Sequence, residues 1–224
     1  MRSARLALVI PTHTDRHLAA CVTSIGCQHE PPELVCLTVD GVVPDIERTL
    51  DAAWPRVAAA LKDRGRAIPR LVLVQREHQG VPMLNQVRNN GFRALDKTAG
   101  LHDDDLVVIL DGDTLLHPDT LRHHRLLRRR GADLILPYRI NLTEDETRAT
   151  TPEDWLAPET AAAHAERWLS TARVRELQHR QRRYEWHLTL RRIPVLGNQL
   201  VKPHKPKVIG GHHAVGVNAL QAVN

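Results

Sequence analysis

Four short apolar runs, each followed by a helical stripe or a polar turn, restrict this chain to a layered α/β fold. Leu6-Ala7-Leu8-Val9-Ile10-Pro11-Thr12, Leu34-Val35-Cys36-Leu37-Thr38-Val39, Leu71-Val72-Leu73-Val74 and Leu106-Val107-Val108-Ile109-Leu110 show no polar alternation. Such runs read as strands buried on both faces. Between them, Leu18, Cys21, Val22 and Ile25 fall at i, i+3, i+4 and i+7. Ile46, Leu50, Ala53, Val57 and Leu61 repeat at helical spacing, and Leu84, Val87, Gly91 and Leu95 form a third stripe. Pro55 is expected to kink or divide the second helix. Strands and helices in alternation argue a parallel sheet with right-handed crossovers.

The fourth run passes directly into Asp111-Gly112-Asp113. In open parallel sheets the carboxyl ends of the strands are where ligands sit. A glycine between two acids lets the backbone turn sharply, so that both carboxylates reach one point. Two hard oxygen donors there suit Mn²⁺ or Mg²⁺, and the ion can in turn hold a diphosphate. The tripeptide by itself equally describes an Asp-Gly turn with solvated acids. Asp40-Gly41 closes the second strand in a similar way.

With the elements placed, residues 6 to 127 resemble the nucleotide-sugar-binding half of a family 2 glycosyltransferase with a GT-A fold. Four landmarks carry the resemblance in order. They are Val9-Ile10-Pro11-Thr12 with the helix ending Cys21-Val22-Thr23-Ser24-Ile25, then Val39-Asp40-Gly41, then Gly80-Val81-Pro82 leading to Arg88-Asn89-Asn90-Gly91. The last is Ile109-Leu110-Asp111-Gly112-Asp113 followed by Pro118, similar to the family's Asp-X-Asp signature. The resemblance implies an α/β fold of the Rossmann-like GT-A type, a mostly parallel sheet flanked by helices. It implies metal-dependent transfer of a sugar from a nucleotide-diphospho-sugar donor to a glycan, lipid or small-molecule hydroxyl acceptor, with inversion. The family's commonest donor is a UDP-sugar.

The resemblance also implies residue roles. Asp113 is the first metal ligand, and Asp111 contacts the ribose, or the metal through water. Gly112 belongs to the same nucleotide-sugar-binding turn. Asp40 accepts hydrogen bonds from the base or ribose, and Pro11 and Thr12 shape the nucleobase slot, with His13 at its border. Arg88 faces the diphosphate or holds the Asp111-Gly112-Asp113 loop, and its fork geometry suits either partner. An ion pair within the fold explains Arg88 equally well. Asp40, as a strand-end acid outside the core, is expected to be replaceable at little cost to stability.

Composition sets further bounds. A chain of 224 residues fits one domain with a real core. It contains no run of about 18 apolar residues, the length a membrane-spanning helix needs. Met1-Arg2-Ser3-Ala4-Arg5 leads straight into the first strand, so no signal peptide is expected and a cytoplasmic location is. Cys21, Cys27 and Cys36 are odd in number and lack metal-ligand spacing, which favours reduced packing cysteines.

The net charge of +5 invites an anionic partner. Arg122, Arg125, Arg128, Arg129 and Arg130 crowd one helix, and a second arginine-rich stretch runs from Arg167 to Arg192. Aromatics are only 3%, and no zinc-finger, RNP-like or helix-turn-helix signature is present, so specific nucleic-acid binding is not expected. A solvated helical face is the plain reading of these arginines. Peripheral contact with the inner face of a membrane, or with an anionic acceptor, is the functional alternative. Trp168, Leu169, Leu177, Tyr184, Trp186, Leu188 and Leu190 interleave with the second group. His123-His124 on the first is expected at the surface or partly packed.

The organisation changes near residue 140. Residues 1–140 read as the nucleotide-sugar-binding half, and residues 141–224 as an acceptor-side segment with a long basic helix, incomplete at its C-terminus. Leu134-Ile135-Leu136-Pro137 reads as a further strand, and residues 208–217 as a closing strand with a glycine entrance. Here the family pattern is lost. Gly210-Gly211-His212-His213-Ala214 stands where the family more often has a small residue and asparagine, and no residue matches the usual position of the catalytic base. The catalytic residue is therefore unassigned. His212 and His213 are candidates as base or as a third metal ligand, beside the plainer role of polar contacts at a strand end. The alternative to a transferase is a truncated or non-catalytic nucleotide-sugar-binding domain. A sugar nucleotidyltransferase would carry a glycine-rich segment with arginine and a Pro-Lys pair where Pro11-Thr12-His13-Thr14-Asp15 stands.

Overall fold

A computed structural model describes residues 4–80, 83–191 and 212–222. The four apolar runs form β1 (Leu6–Thr12), β2 (Leu34–Asp40), β3 (Arg70–Arg76) and β4 (Leu106–Leu110). These pair in parallel, β1 lying between β2 and β4, with β3 outside β2. Two further strands complete a six-stranded sheet of order β3-β2-β1-β4-β6-β5, where β5 is Leu134–Ile135 and β6 is His212–Gly216. β6 is antiparallel to both neighbours, so β5 runs in the same direction as β4. The chain is thus a mixed α/β protein with a mostly parallel sheet.

Helices cover both faces. α1 (Leu18–Gly26), α2 (Pro44–Asp63) and α4 (Thr120–Arg129) belong to one side. Ile10, Leu18, Val22, Ile25, Ile46, Val57, Leu61, Leu110 and Leu121 are buried together there. α3 (Leu84–Ala99) lies on the other side, where Leu95 packs with Ala7, Val9, Cys36 and Val107. The short α8 (Val217–Ala222), which follows β6, adds Val217 to that cluster. The remaining helices are α5 (Glu144–Arg148), α6 (Pro158–Trp168) and α7 (Thr171–Arg191). A 3₁₀ turn at Pro152–Trp155 brings the buried Trp155 against Cys27 and Ala161, and its ring stacks on Trp168.

Several local outcomes differ from the sequence pattern. α2 passes through Pro55 without dividing, because Pro55 and Asp51 both face solvent. The Asp51 carbonyl that loses its helical donor can therefore be solvated. Leu84, the first residue of the third stripe, is 48% exposed, whereas Val87, Gly91 and Leu95 are buried. The strand expected over residues 134–137 pairs only at Leu134 and Ile135. The closing strand is described from His212 onward, and its glycine entrance lies outside the described residues. All three cysteines are free and buried, and burial pushes their thiols up to about 12. Among the described residues no helix is long and apolar enough to cross a membrane.

Candidate functional site

The strand order reverses direction of growth at β1, between β2 on one side and β4 on the other. Open α/β sheets form a crevice at such a point, outside the carboxyl ends of the strands. Pro11 and Thr12 end β1, Asp40 ends β2, and Asp111-Gly112-Asp113 follows β4. The topology therefore brings these predicted residues to one end of the sheet. β6 enters the sheet at the same end, with His212 paired to Leu110 and His213 to Ile109.

The Asp111-Gly112-Asp113 turn is pinned against β1. The Gly112 N–H donates to the Pro11 carbonyl at 3.2 Å, and the Thr114 N–H donates to the Asp111 carbonyl at 2.9 Å. A Cβ on Gly112 would lie 2.9 Å from both Cβ and Oγ1 of Thr12. Gly112 does not adopt a positive φ. The glycine is required for close approach rather than for a left-handed turn, which corrects the reason inferred from the sequence. Thr12 Oγ1 in turn donates to the Thr14 carbonyl at 2.7 Å, holding the chain beyond β1.

Arg88 reaches the turn from α3. Its Nη2 donates to Asp111 Oδ1 at 3.2 Å, and its Nε is buried with no hydrogen-bond partner among the described residues. α3 comes close enough because Gly91 sits on the sheet. A Cβ there would lie 2.5 Å from Val9 Cγ1. His213 faces the same pair, half-buried. Burial pushes its imidazole down, the Arg88 charge adds to this, and Asp111 opposes both. Its Nδ1 is also buried without a partner among the described residues.

Asp40 is 3% exposed, which removes it from the class of strand-end acids outside the core. It accepts a hydrogen bond from the Met83 N–H at 3.2 Å. Arg76 Nη1 lies 3.5 Å from its Oδ1 and His78 Nδ1 3.5 Å from its Oδ2. Burial raises the carboxyl's pKa, but the Met83 N–H, the Arg76 guanidinium and His78 outweigh that, and the net shift is downward. Arg76 and His78 were not singled out from the sequence. Arg76 closes an apolar strand as Asp40 does, but only the β2–β3 register brings the two together.

His212 points to the other face. It is buried, and its ring stacks on that of His124 with centroids 4.9 Å apart and planes within 5°. Burial and the neighbouring His124 and His213 push its pKa down to about 3. His124 is 3% exposed rather than at the surface, and its Nδ1 bonds the Thr120 carbonyl at 2.7 Å. His13 is exposed beyond β1.

The donor set bears on a metal. Among the described residues no group of three or more His, Cys, Asp or Glu side chains is gathered as a cation cage. Asp113 is exposed and Asp111 half-buried at the turn, with one Asp111 oxygen engaged by Arg88. Two such carboxylates fit the binding mode of Mg²⁺ and Mn²⁺, in which one or two acids share the ion with substrate phosphates and water.

No family model matches the chain, and no curated protein matches it. Solved structures with similarity to it include the crystal structure of S. aureus TarS 1–349, at 14% identity and a TM-score of 0.43, covering 62% of this chain and 38% of that one. The same segment in complex with UDP-GlcNAc is 16% identical with a TM-score of 0.43, covering 66% of this chain and 39% of that one. A further S. aureus TarS structure is 16% identical with a TM-score of 0.43, covering 62% and 23%. The chain therefore spans less than two fifths of the length of each of these structures.

Proposed function

We propose that this protein binds a nucleotide-diphospho-sugar, a UDP-sugar, at the carboxyl ends of β1, β2 and β4 and transfers the sugar to a hydroxyl acceptor on a glycan, lipid or small molecule. The observation that carries the reading is the juxtaposition of Asp111 and Asp113 with Arg88, 3.2 Å from Asp111, at the switch point of the sheet. The resemblance of residues 6 to 127 to family 2 glycosyltransferases, carried in part by these same residues, supports it.

Each residue then has a definite task. Pro11 and Thr12 bound the base, and Asp40 accepts from the base or ribose. Arg76 and His78 hold Asp40 ionised while it does so. Breaking the bond between the anomeric carbon and the diphosphate builds negative charge on the leaving group, and Arg88 would neutralise part of it. Asp113, with Asp111 beside it, would hold Mn²⁺ or Mg²⁺, which when bound supplies Lewis-acid stabilisation of that charge. Inversion by direct displacement needs one base to take the acceptor proton, and His213 is the imidazole nearest to these requirements. Residues 141–224 form the acceptor side.

The experiment is a calorimetric titration of the protein with UDP-glucose and UDP-GlcNAc, in Mn²⁺ and in chelator. The expected result is tighter binding with Mn²⁺, with the difference abolished in Asp113→Ala. Equal affinity with Mn²⁺ and with chelator would remove the metal from the reading, and no binding of any nucleotide sugar would remove the reading itself. A second reading, a nucleotide-sugar-binding domain without transfer, is favoured by one observation. Among the described residues no three His, Cys, Asp or Glu side chains are gathered so that they could hold a metal ion. Binding without turnover would select it.

A further inference from the structure

Large exposed apolar side chains are concentrated in one stretch of the chain. Of eleven such residues among those described, Leu126, Leu127, Leu134, Leu136 and Tyr138 lie within a single segment running from the end of α4 along β5. Leu134 is 53% and Tyr138 51% exposed. β5 is the last strand of the sheet, so this segment forms its rim.

The rim is also basic. Arg129, Arg130 and Arg139 are exposed and have no acidic partner among the described residues. The only acid between Thr120 and Leu142 is Asp133, and it is engaged by Arg128 and by the Asn218 amide. Apolar side chains interleaved with unneutralised arginines match a surface that carries fixed negative charge over an apolar interior. A second copy of the chain fits poorly, since a two-fold contact would bring the same arginines face to face.

We propose that this rim, Leu126 to Arg139, is a docking surface for an anionic lipid bilayer. Leucine and tyrosine side chains enter the headgroup layer, and Arg129, Arg130 and Arg139 pair with lipid phosphates. β5 runs parallel to β4, so the chain leaves it toward the same end of the sheet as Asp111. Leu136, Tyr138 and Arg139 follow it toward that end, whereas Arg129 lies beside Arg5, Leu6 and Leu106 at the amino ends of β1 and β4, so the rim runs along the edge of the sheet. The proposal rests on the exposure and charge of the rim and not on the sugar-transfer reading.

The test is co-sedimentation of the full chain with vesicles of phosphatidylcholine, with and without phosphatidylglycerol. Binding is expected only with phosphatidylglycerol, and it should weaken as salt rises. The double variant Arg129→Gln/Arg130→Gln should bind roughly 30-fold more weakly, from about 1 kcal/mol per arginine at an anionic surface. Leu136→Ser/Tyr138→Ser should also lose binding, and both variants should melt as the parent does because the residues are exposed. Three results overturn the proposal. One is equal binding to both kinds of vesicle, or to neither. Another is loss of binding in Arg182→Gln/Arg183→Gln on α7 while the rim variants bind normally. The third is a rim variant that changes the protein's mass in light scattering but not its vesicle binding, which assigns the rim to self-association.

Discussion

Arg88 on α3 donates through Nη2 to Asp111 Oδ1 at 3.2 Å, tying the helix over β1 and β2 to the turn after β4. The pair makes the position of the acidic turn depend on the position of the helix. It also leaves the Arg88 Nε buried and unpaired among the described residues, a donor with capacity to spare.

Arg88→Met should therefore weaken nucleotide-sugar binding while leaving the fold in place. A hydrogen bond to a charged group is worth about 1.5–3 kcal/mol net, which corresponds to roughly tenfold to a hundredfold in affinity. Titration of UDP-glucose into parent and variant reads the difference. Unchanged affinity would show that Arg88 serves only to hold Asp111.

Asp40 presents the opposite balance. Its carboxyl is buried against Arg76 and the Met83 N–H, so Asp40→Ala strands a guanidinium that is itself 12% exposed. Removing the counter-charge of that guanidinium and the acceptor of the Met83 N–H costs about 1–3 kcal/mol. Asp40→Ala should thus lower the melting temperature of the ligand-free protein as well as its nucleotide affinity. Because the folded carboxyl lies below its ordinary value, its contribution is present above the unfolded carboxylate range and is lost as pH falls through the folded pKa. Denaturation in urea at neutral and acid pH measures both effects.

The parallel half of the fold was legible because its strands are buried on both faces and leave uninterrupted apolar runs. Asp40, Asp111 and Asp113 were legible because an acid after such a run marks the ligand end of a parallel sheet. What surrounds them was not, because it depends on registers between distant segments. Arg76 meets Asp40 only through the β2–β3 register, and His213 meets Arg88 and Asp111 only because β6 inserts antiparallel beside β4. Nothing local to His212 foretells its stacking on His124, 88 residues earlier and on another element. Pro55 misled because the rule against interior proline assumes that the freed carbonyl is buried.

Gly91 separates packing from chemistry. In Gly91→Ala the new methyl would sit 2.5 Å from Val9 Cγ1, on a fully buried strand that cannot yield, so α3 must lift from the sheet. Overpacking of this kind costs about 1–3 kcal/mol. Since α3 carries Arg88, nucleotide affinity should fall together with the melting temperature. Gly131→Ala places its methyl in open space, so nucleotide affinity should be retained, and any loss of stability there comes from the positive φ alone. Affinity that survives Gly91→Ala intact would separate α3 from the site.

The stacked histidines make stability fall on the acid side. His212 is held neutral down to about pH 3 in the folded protein, whereas an unfolded histidine protonates near 6.5. The folded pKa is depressed, so the unfolded chain binds more protons between these values, and stability must rise with pH across that window. His124 is shifted the same way by burial and adds to the slope. Carboxylates contribute to the acid side of the same curve, so the parent alone does not isolate the imidazoles. His212→Phe preserves an aromatic ring against His124 and removes one titrating group. Urea unfolding from pH 5 to 7, where carboxylates are already ionised, should show a rising stability in the parent and a flatter profile in His212→Phe. A parent profile that is flat over that range would mean that the imidazoles are hydrated, and that the pair is not the buried contact described above.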